Sequence, residues 1–175
     1  MNPYDLFAEI LDHPTSLLSE RLKECLSILS PMNGEAASLL SEFQAFFEKS
    51  PLARVEEIYS RTFDLQAACY PSIGYHLFGE ESYREIFMAG LEENYQACGF
   101  PTGNALPDHL TTFLRFLAEE KDQEEREELI DLCLIPALEN MVKGFKQKAN
   151  PYREVLESLR LALRGSHGQI DSVSV

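Results

Sequence analysis

The chain has 175 residues, of which 45% are hydrophobic, enough for one domain with a real core and no need of staples. Acidic residues outnumber basic ones 29 to 15, a formal charge of -14. That balance excludes nucleic acid as the main partner, because phosphate binding needs clustered Lys and Arg; it fits a basic peptide or protein partner, or solubility alone. Cys25, Cys69, Cys98 and Cys133 are scattered without C-x-x-C spacing. No basic run followed by an apolar core opens the chain, and no apolar stretch approaches the roughly 20 residues that span a bilayer. The expectation is a cytoplasmic protein with reduced thiols and no stable membrane insertion.

In chain order the periodicity predicts helices and almost nothing else. Pro3 to Leu11 forms a short amphipathic opening closed by Asp12-His13-Pro14. Thr15 can cap a second helix with Leu18, Leu22, Cys25, Leu26 and Leu29 as its stripe. A turn at Ser30–Gly34 leads to a third helix carrying Leu39, Leu40, Phe43, Phe46 and Phe47. Ser50-Pro51 reads as cap and first position of a fourth, which turns Leu52, Val55, Ile58, Tyr59, Thr62 and Phe63 inward.

From Asp64 to Glu81 the period fails. Cys69, Tyr70, Pro71, Ile73, Gly74, Tyr75, His76, Leu77, Phe78 and Gly79 make an aromatic, apolar segment bounded by Pro and Gly, with no partner strand in sight. Such a segment is either folded under the helices or held ready for a ligand. Ser82 then caps a fifth helix with Tyr83, Ile86, Phe87, Gly90, Leu91, Tyr95 and Cys98 in line. Leu106-Pro107-Asp108-His109-Leu110 opens the next, with Pro107 in the first turn and Asp108 among the free N–H groups. Glu119 to Glu128 holds seven acids and two bases, a solvated loop and the acid-rich start of a helix running to about Gln147. Pro136 should kink or divide that helix. Asn150-Pro151 opens the last helix, with Tyr152, Val155, Leu156, Leu159 and Leu163 inward. The expected organisation is a single all-α domain over residues 1–164, a bundle of about seven to nine helices, with a flexible tail at 165–175.

There is no Gly-rich phosphate loop, G-x-S-x-G or H-E-x-x-H. A site built across space from Cys69, His76, Cys98 and His109 is a weak metal candidate, and acid–base chemistry using Asp108, His109 and His76 is the competing enzyme hypothesis. Neighbouring helical residues point about 100° apart, which weakens a literal Asp108/His109 dyad. The residues themselves describe a soluble acidic helical domain, more a binding protein than an enzyme.

Leu106-Pro107-Asp108-His109-Leu110, followed by an apolar helix with Phe113 and Phe116, resembles the hallmark of the NarJ-type nitrate reductase assembly chaperones, within the wider TorD/DmsD family of molybdoenzyme maturation chaperones. Ser50-Pro51-Leu52 leading to Tyr59 through Asp64, Tyr75-His76-Leu77-Phe78-Gly79-Glu80, and Asn150-Pro151-Tyr152 are similar to further family blocks in the same order. Two departures stand out: Ala105 replaces a common Glu, and Ser82-Tyr83-Arg84-Glu85 stands where many members have Arg-Gly. The resemblance implies a TorD-like bundle without catalysis, cofactor or metal of its own. It also implies a partner: the N-terminal leader of a molybdenum enzyme's catalytic subunit, held until cofactor insertion. Oligomeric state stays open, since the family includes domain-swapped forms. The expected leader site comprises Tyr59, Phe63 and Asp64, Tyr75, His76 and Phe78, and Asp108, His109 and Phe113; Tyr59, Phe63 and Phe113 also lie on apolar stripes that core packing would claim. A site built on two histidines should change affinity between about pH 5 and 8.

Overall fold

Asparagine side chains organise much of the chain's path. A computed structural model describes residues 2–65, 69–80, 82–146 and 149–167. Residues 66–68 and Glu81 of the aromatic segment, the expected helix end at Gln147 and the tail from 168 onward lie outside the described residues. Asn2 accepts from the Tyr4 N–H at 2.8 Å and starts α1 (Pro3–Ile10), whose Leu6, Phe7, Ala8 and Ile10 are all buried. Helix α2 (Leu18–Met32) follows, and Thr15 stands just before it: its hydroxyl accepts from the Leu17 N–H at 3.3 Å without capping the helix. Leu18, Leu22, Cys25 and Leu29 face the core as the stripe predicts.

The expected turn at Ser30–Gly34 shrinks to one residue. Pro31 sits in the last turn of α2, and Asn33 ends that helix and caps α3 (Gly34–Lys49) by accepting from the Ala36 N–H at 3.0 Å. Its amide also donates to the Leu161 carbonyl of α10 (Pro151–His167) at 3.0 Å. The buried Ser158 hydroxyl donates to the Ala36 carbonyl at 2.7 Å, so α3 and α10 approach closely. Tyr152, Val155, Leu156, Leu159 and Leu163 are buried along α10. That helix runs to His167, past the start of the expected tail.

Two π-helical turns alter the simple period. Helix α4 (Leu52–Tyr59) continues through one at Ser60–Asp64, and Asn150 donates to the Thr62 hydroxyl there at 2.7 Å. Helix α8 (Gln123–Leu129), capped by Asp122, continues through the other at Ile130–Leu134 into α9 (Ile135–Gly144). Pro136 falls in the first turn of α9, where its missing N–H removes no α-helical bond. The break expected at Pro136 is thus a widened turn just before it.

The remaining helices are α5 (Ile73–Phe78), α6 (Ser82–Ala97) and α7 (Leu110–Glu119). Seven of the ten residues of α7 are buried, among them Leu110, Phe113, Leu114, Phe116 and Leu117, which makes it the central helix against α1. Counting α4 and α8–α9 with their π turns as continuous, the described residues form nine helices around one core. The all-α single-domain bundle is as the periodicity predicts.

Helix α6 departs from expectation. Of its predicted inward stripe only Leu91 and Tyr95 are buried, while Tyr83, Ile86, Gly90 and Cys98 are exposed. It packs beside α5, which in turn packs on α9, so α6 lies at the edge of the bundle. The segment read as an irregular loop contains helix α5 and also pairs its backbone with residue 109, described next.

Candidate functional site

Asp108 does not cap a helix. The first residue of α7 is Leu110, and its N-cap is His109, in extended conformation. The reason is backbone pairing that no local pattern announces: the Ile73 N–H donates to the Asp108 carbonyl at 2.8 Å and the Leu110 N–H to the Pro71 carbonyl at 2.7 Å. These bonds make one isolated antiparallel bridge between Ser72 and His109. An extended residue alternates its neighbours between two sides, so Asp108 turns inward while His109 stays half-exposed.

The Asp108 carboxylate is fully buried, and three donors meet it. The Ser72 hydroxyl donates to Oδ2 at 2.6 Å, Arg84 Nε to the same oxygen at 2.9 Å, and Arg84 Nη2 to Oδ1 at 3.4 Å. Ser72 Oγ also accepts from the Tyr75 N–H at 3.2 Å and so caps α5. A buried carboxylate without partners would be very costly, and the two-pronged Arg84 contact meets that cost. Gly74 makes the approach possible. A Cβ there would stand 2.7 Å from Asp108 Oδ2 and 3.0 Å from Arg84 Cγ. Tyr95 completes the junction by donating from its hydroxyl to the Pro107 carbonyl at 2.8 Å. Ser72, Arg84 and Asp108 thereby tie α5, α6 and the entry to α7 together.

The histidines have separate tasks. Thr111 N–H donates to His109 Nδ1 at 3.4 Å, and the Thr111 hydroxyl lies 3.0 Å from the same nitrogen. Burial pushes the His109 pKa below its ordinary value, against the pull of the Asp12 and Asp108 carboxylates. Asp12 itself pairs with Arg115. His76 Nε2 meets the Tyr70 carbonyl at 2.8 Å, and burial lowers its pKa too, partly offset by that bond. Asn140 of α9 donates to the His76 carbonyl at 2.9 Å, holding α5 on α9.

The expected site therefore divides. Tyr75 and His76 meet edge to face at 5.4 Å between ring centroids on α5, and half-exposed Phe78 lies 5.5 Å from Phe87 of α6. All three lie on α5, which begins directly after the Ser72–His109 bridge. Tyr59 and Phe63 instead pack on Tyr152 at 5.6 and 5.2 Å, and the Tyr59 hydroxyl donates to the Leu11 carbonyl at 3.3 Å. Burial raises the Tyr59 pKa to about 12. Phe113 is fully buried in α7, and Asp64 is exposed at the end of the π turn. Tyr59, Phe63 and Phe113 belong to the core, as their stripes allowed.

The acid–base hypothesis loses its geometry, because Asp108 is spent on Ser72 and Arg84 while His109 Nδ1 faces Thr111. Among the described residues no group of three or more His, Cys, Asp or Glu side chains converges to hold a metal, so Cys69, His76, Cys98 and His109 do not assemble one. An apolar cavity of about 240 Å³ between α1, α2 and α10, lined by Tyr4, Leu29, Met32 and Leu159, lies away from the bridge. Sequence reasoning missed Ser72, took Gly74 only as part of the apolar segment and took Arg84 only as a departure from pattern. The one available signal was that α6 contains a single basic residue, Arg84, beside three acids.

The family model described as nitrate reductase delta subunit matches residues 30–157, a span that holds the whole junction. The probable nitrate reductase molybdenum cofactor assembly chaperone NarW of Escherichia coli (strain K12) is 25% identical over 166 residues, which cover 94% of this chain and 69% of that protein.

Two predictions follow from the geometry. Arg84→Ala strands a buried carboxylate and should cost about 3–5 kcal/mol in urea unfolding. Asp108→Ala should cost less, because Arg84 retains 21% side-chain exposure and can turn to water. Gly74→Ala should lose about 1–3 kcal/mol by overpacking; wild-type stability in Gly74→Ala and Arg84→Ala would contradict the junction. The second concerns pH. Both histidines bind a proton less readily folded than unfolded, so their contribution is complete above the ordinary value of 6.5 and declines as pH falls through it towards the lower folded values. The histidines' contribution to the unfolding free energy should be level above about pH 7 and decline as the pH falls below about 6.5. His76→Gln with His109→Asn, which keeps a capping side chain, should flatten that slope; an unchanged slope would assign it elsewhere.

Proposed function

The chain belongs to the nitrate reductase delta subunit family, and from that membership we propose that it is an assembly chaperone for a nitrate reductase-like molybdoenzyme. It binds the N-terminal segment of the enzyme's catalytic subunit in the cytoplasm and holds that subunit while the molybdenum cofactor is inserted. The observation that carries this proposal is the match over residues 30–157, joined by the similarity to NarW along 94% of the chain. The molybdenum cofactor belongs to the client, and this chain contributes no bond-making step.

The physical chemistry supports the proposal in two ways. A net charge of -14 favours a client segment carrying Arg and Lys, and raises its association rate more than its affinity. Exposed apolar side chains, Phe78 and Tyr83 among them, offer the apolar side of such a segment a place to pack. Of the nine expected leader contacts, Asp64, Tyr75, His76, Phe78 and His109 keep exposed surface. We assign direct contact to these five. Asp108 acts through the fold, and Tyr59, Phe63 and Phe113 act as core.

Titration calorimetry tests the proposal, with a peptide of the first thirty or so residues of the nitrate reductase catalytic subunit from the same organism. Saturable one-to-one binding is expected. The full-length subunit should co-purify with the chaperone, and a subunit lacking that segment should not. Absence of peptide binding, or equal recovery of the truncated subunit, would contradict the proposed client site.

A further inference from the structure

Helix α6 carries an apolar stripe that nothing among the described residues covers. Of its 16 residues only Leu91 and Tyr95 are buried. Tyr83 is 66% exposed and Ile86 67%, and with Gly90 they recur at steps of three and four, on one face. Phe78, 39% exposed, extends the strip through its contact with Phe87. A Cβ on Gly90 would meet no atom within 4 Å, so an open shelf lies beside the helix at the end of the stripe. A second helix can bring its backbone close at such a position.

Charge decides what that helix is. Glu85, Glu92 and Glu93 are exposed on α6, and its single cation, Arg84, is committed to Asp108. A second copy docking through the same face would set Glu93, which borders Ile86, against its equivalent and bring together two chains of net charge -14, since a two-fold interface is self-facing. An anionic lipid surface would be repelled for the same reason. A cationic amphipathic helix satisfies both features, its apolar side on Tyr83 and Ile86 and its Lys or Arg side chains towards Glu93 and the acidic surface beyond it.

We infer that the exposed face of α6, formed by Tyr83, Ile86 and Gly90 with Phe78 at its edge, seats a cationic amphipathic helix of a partner protein. On the function proposed above, that helix is the N-terminal segment of the client. The Arg84–Asp108 pair then acts as a positioning element: it anchors the helix that presents the docking face.

The test uses the full chain and fluorescence anisotropy with two dye-labelled synthetic helices, one of Leu and Lys and one of Leu and Glu in the same amphipathic pattern. Wild type should bind the Leu/Lys helix and not the Leu/Glu helix. Tyr83→Ser with Ile86→Ser should raise the Kd at least tenfold, while Leu132→Ser, which removes another exposed apolar side chain, should leave it unchanged. Gly90→Gln should also raise the Kd at least tenfold by filling the shelf, yet should raise the melting temperature, because Gly is a poor helix former. Failure of wild type to bind the Leu/Lys helix, or equal affinity in the Tyr83/Ile86 and Gly90 variants, would overturn the assignment. So would a wild-type dimer in sedimentation that the Tyr83/Ile86 variant abolishes, since the face would then belong to a second copy. Repeating the titration with the client peptide separates the two claims. Equal binding of that peptide to wild type and the α6 variants overturns the docking face and leaves the chaperone role. A peptide that fails on wild type, where the Leu/Lys helix still binds through α6, overturns the client and leaves the face.

Discussion

A single buried carboxylate sets the arrangement of one side of this molecule. Asp108 has no exposed surface, and its two oxygens are met by Arg84 from α6 and Ser72 from the cap of α5. Ionised groups withdrawn from water are stable only when such partners are supplied, so the three elements must arrive together. The backbone bonds of Ile73 to Asp108 and Leu110 to Pro71 fix where the carboxylate is aimed. Gly74 clears the space in which the guanidinium and carboxylate meet.

The consequence is clearest for α6. Hydrophobic burial, at about 1.5–3 kcal/mol for each fully buried large side chain, holds α7 and α10 firmly, because each buries a full stripe. Helix α6 buries two such residues and leaves Tyr83 and Ile86 in water. Its position therefore rests to an unusual degree on polar contacts, from Arg84 at one end and Tyr95 at the other. A weakly buried helix at the edge of a rigid bundle is a natural place for a binding face, since exposed apolar surface there does not weaken the core.

Much of the bundle was legible because its cause is local and periodic. The stripe of α10 is the stripe in the sequence, residue for residue, that of α2 departs from it only at half-buried Leu26, and the all-α class follows from such stripes. What escaped depends on partners far apart in the chain. The bridge between Ser72 and His109 and the pairing of Arg84 with Asp108 leave no mark in any short window. A proline followed by an aspartate looked like the first turn of a helix, yet the tertiary pairing moved the cap to His109. The α6 stripe was legible as apolar, but periodicity cannot say whether an apolar face meets the core or awaits a partner. Of the residues that the family resemblance singled out, the sorting of Tyr59, Phe63 and Phe113 into the core needed the fold.

The central claim is that Asp108 acts through Arg84, as an anchor for α6, and a double-mutant cycle on that pair tests it most directly. Stability would be measured for wild type, Arg84→Met, Asp108→Leu and the double variant, which leaves neither charge buried alone. The account predicts that the double variant is far less destabilised than the two single losses combined, with a coupling of about 2–3 kcal/mol. Additive losses, to within about 0.5 kcal/mol, would mean that Asp108 and Arg84 act independently and would contradict it.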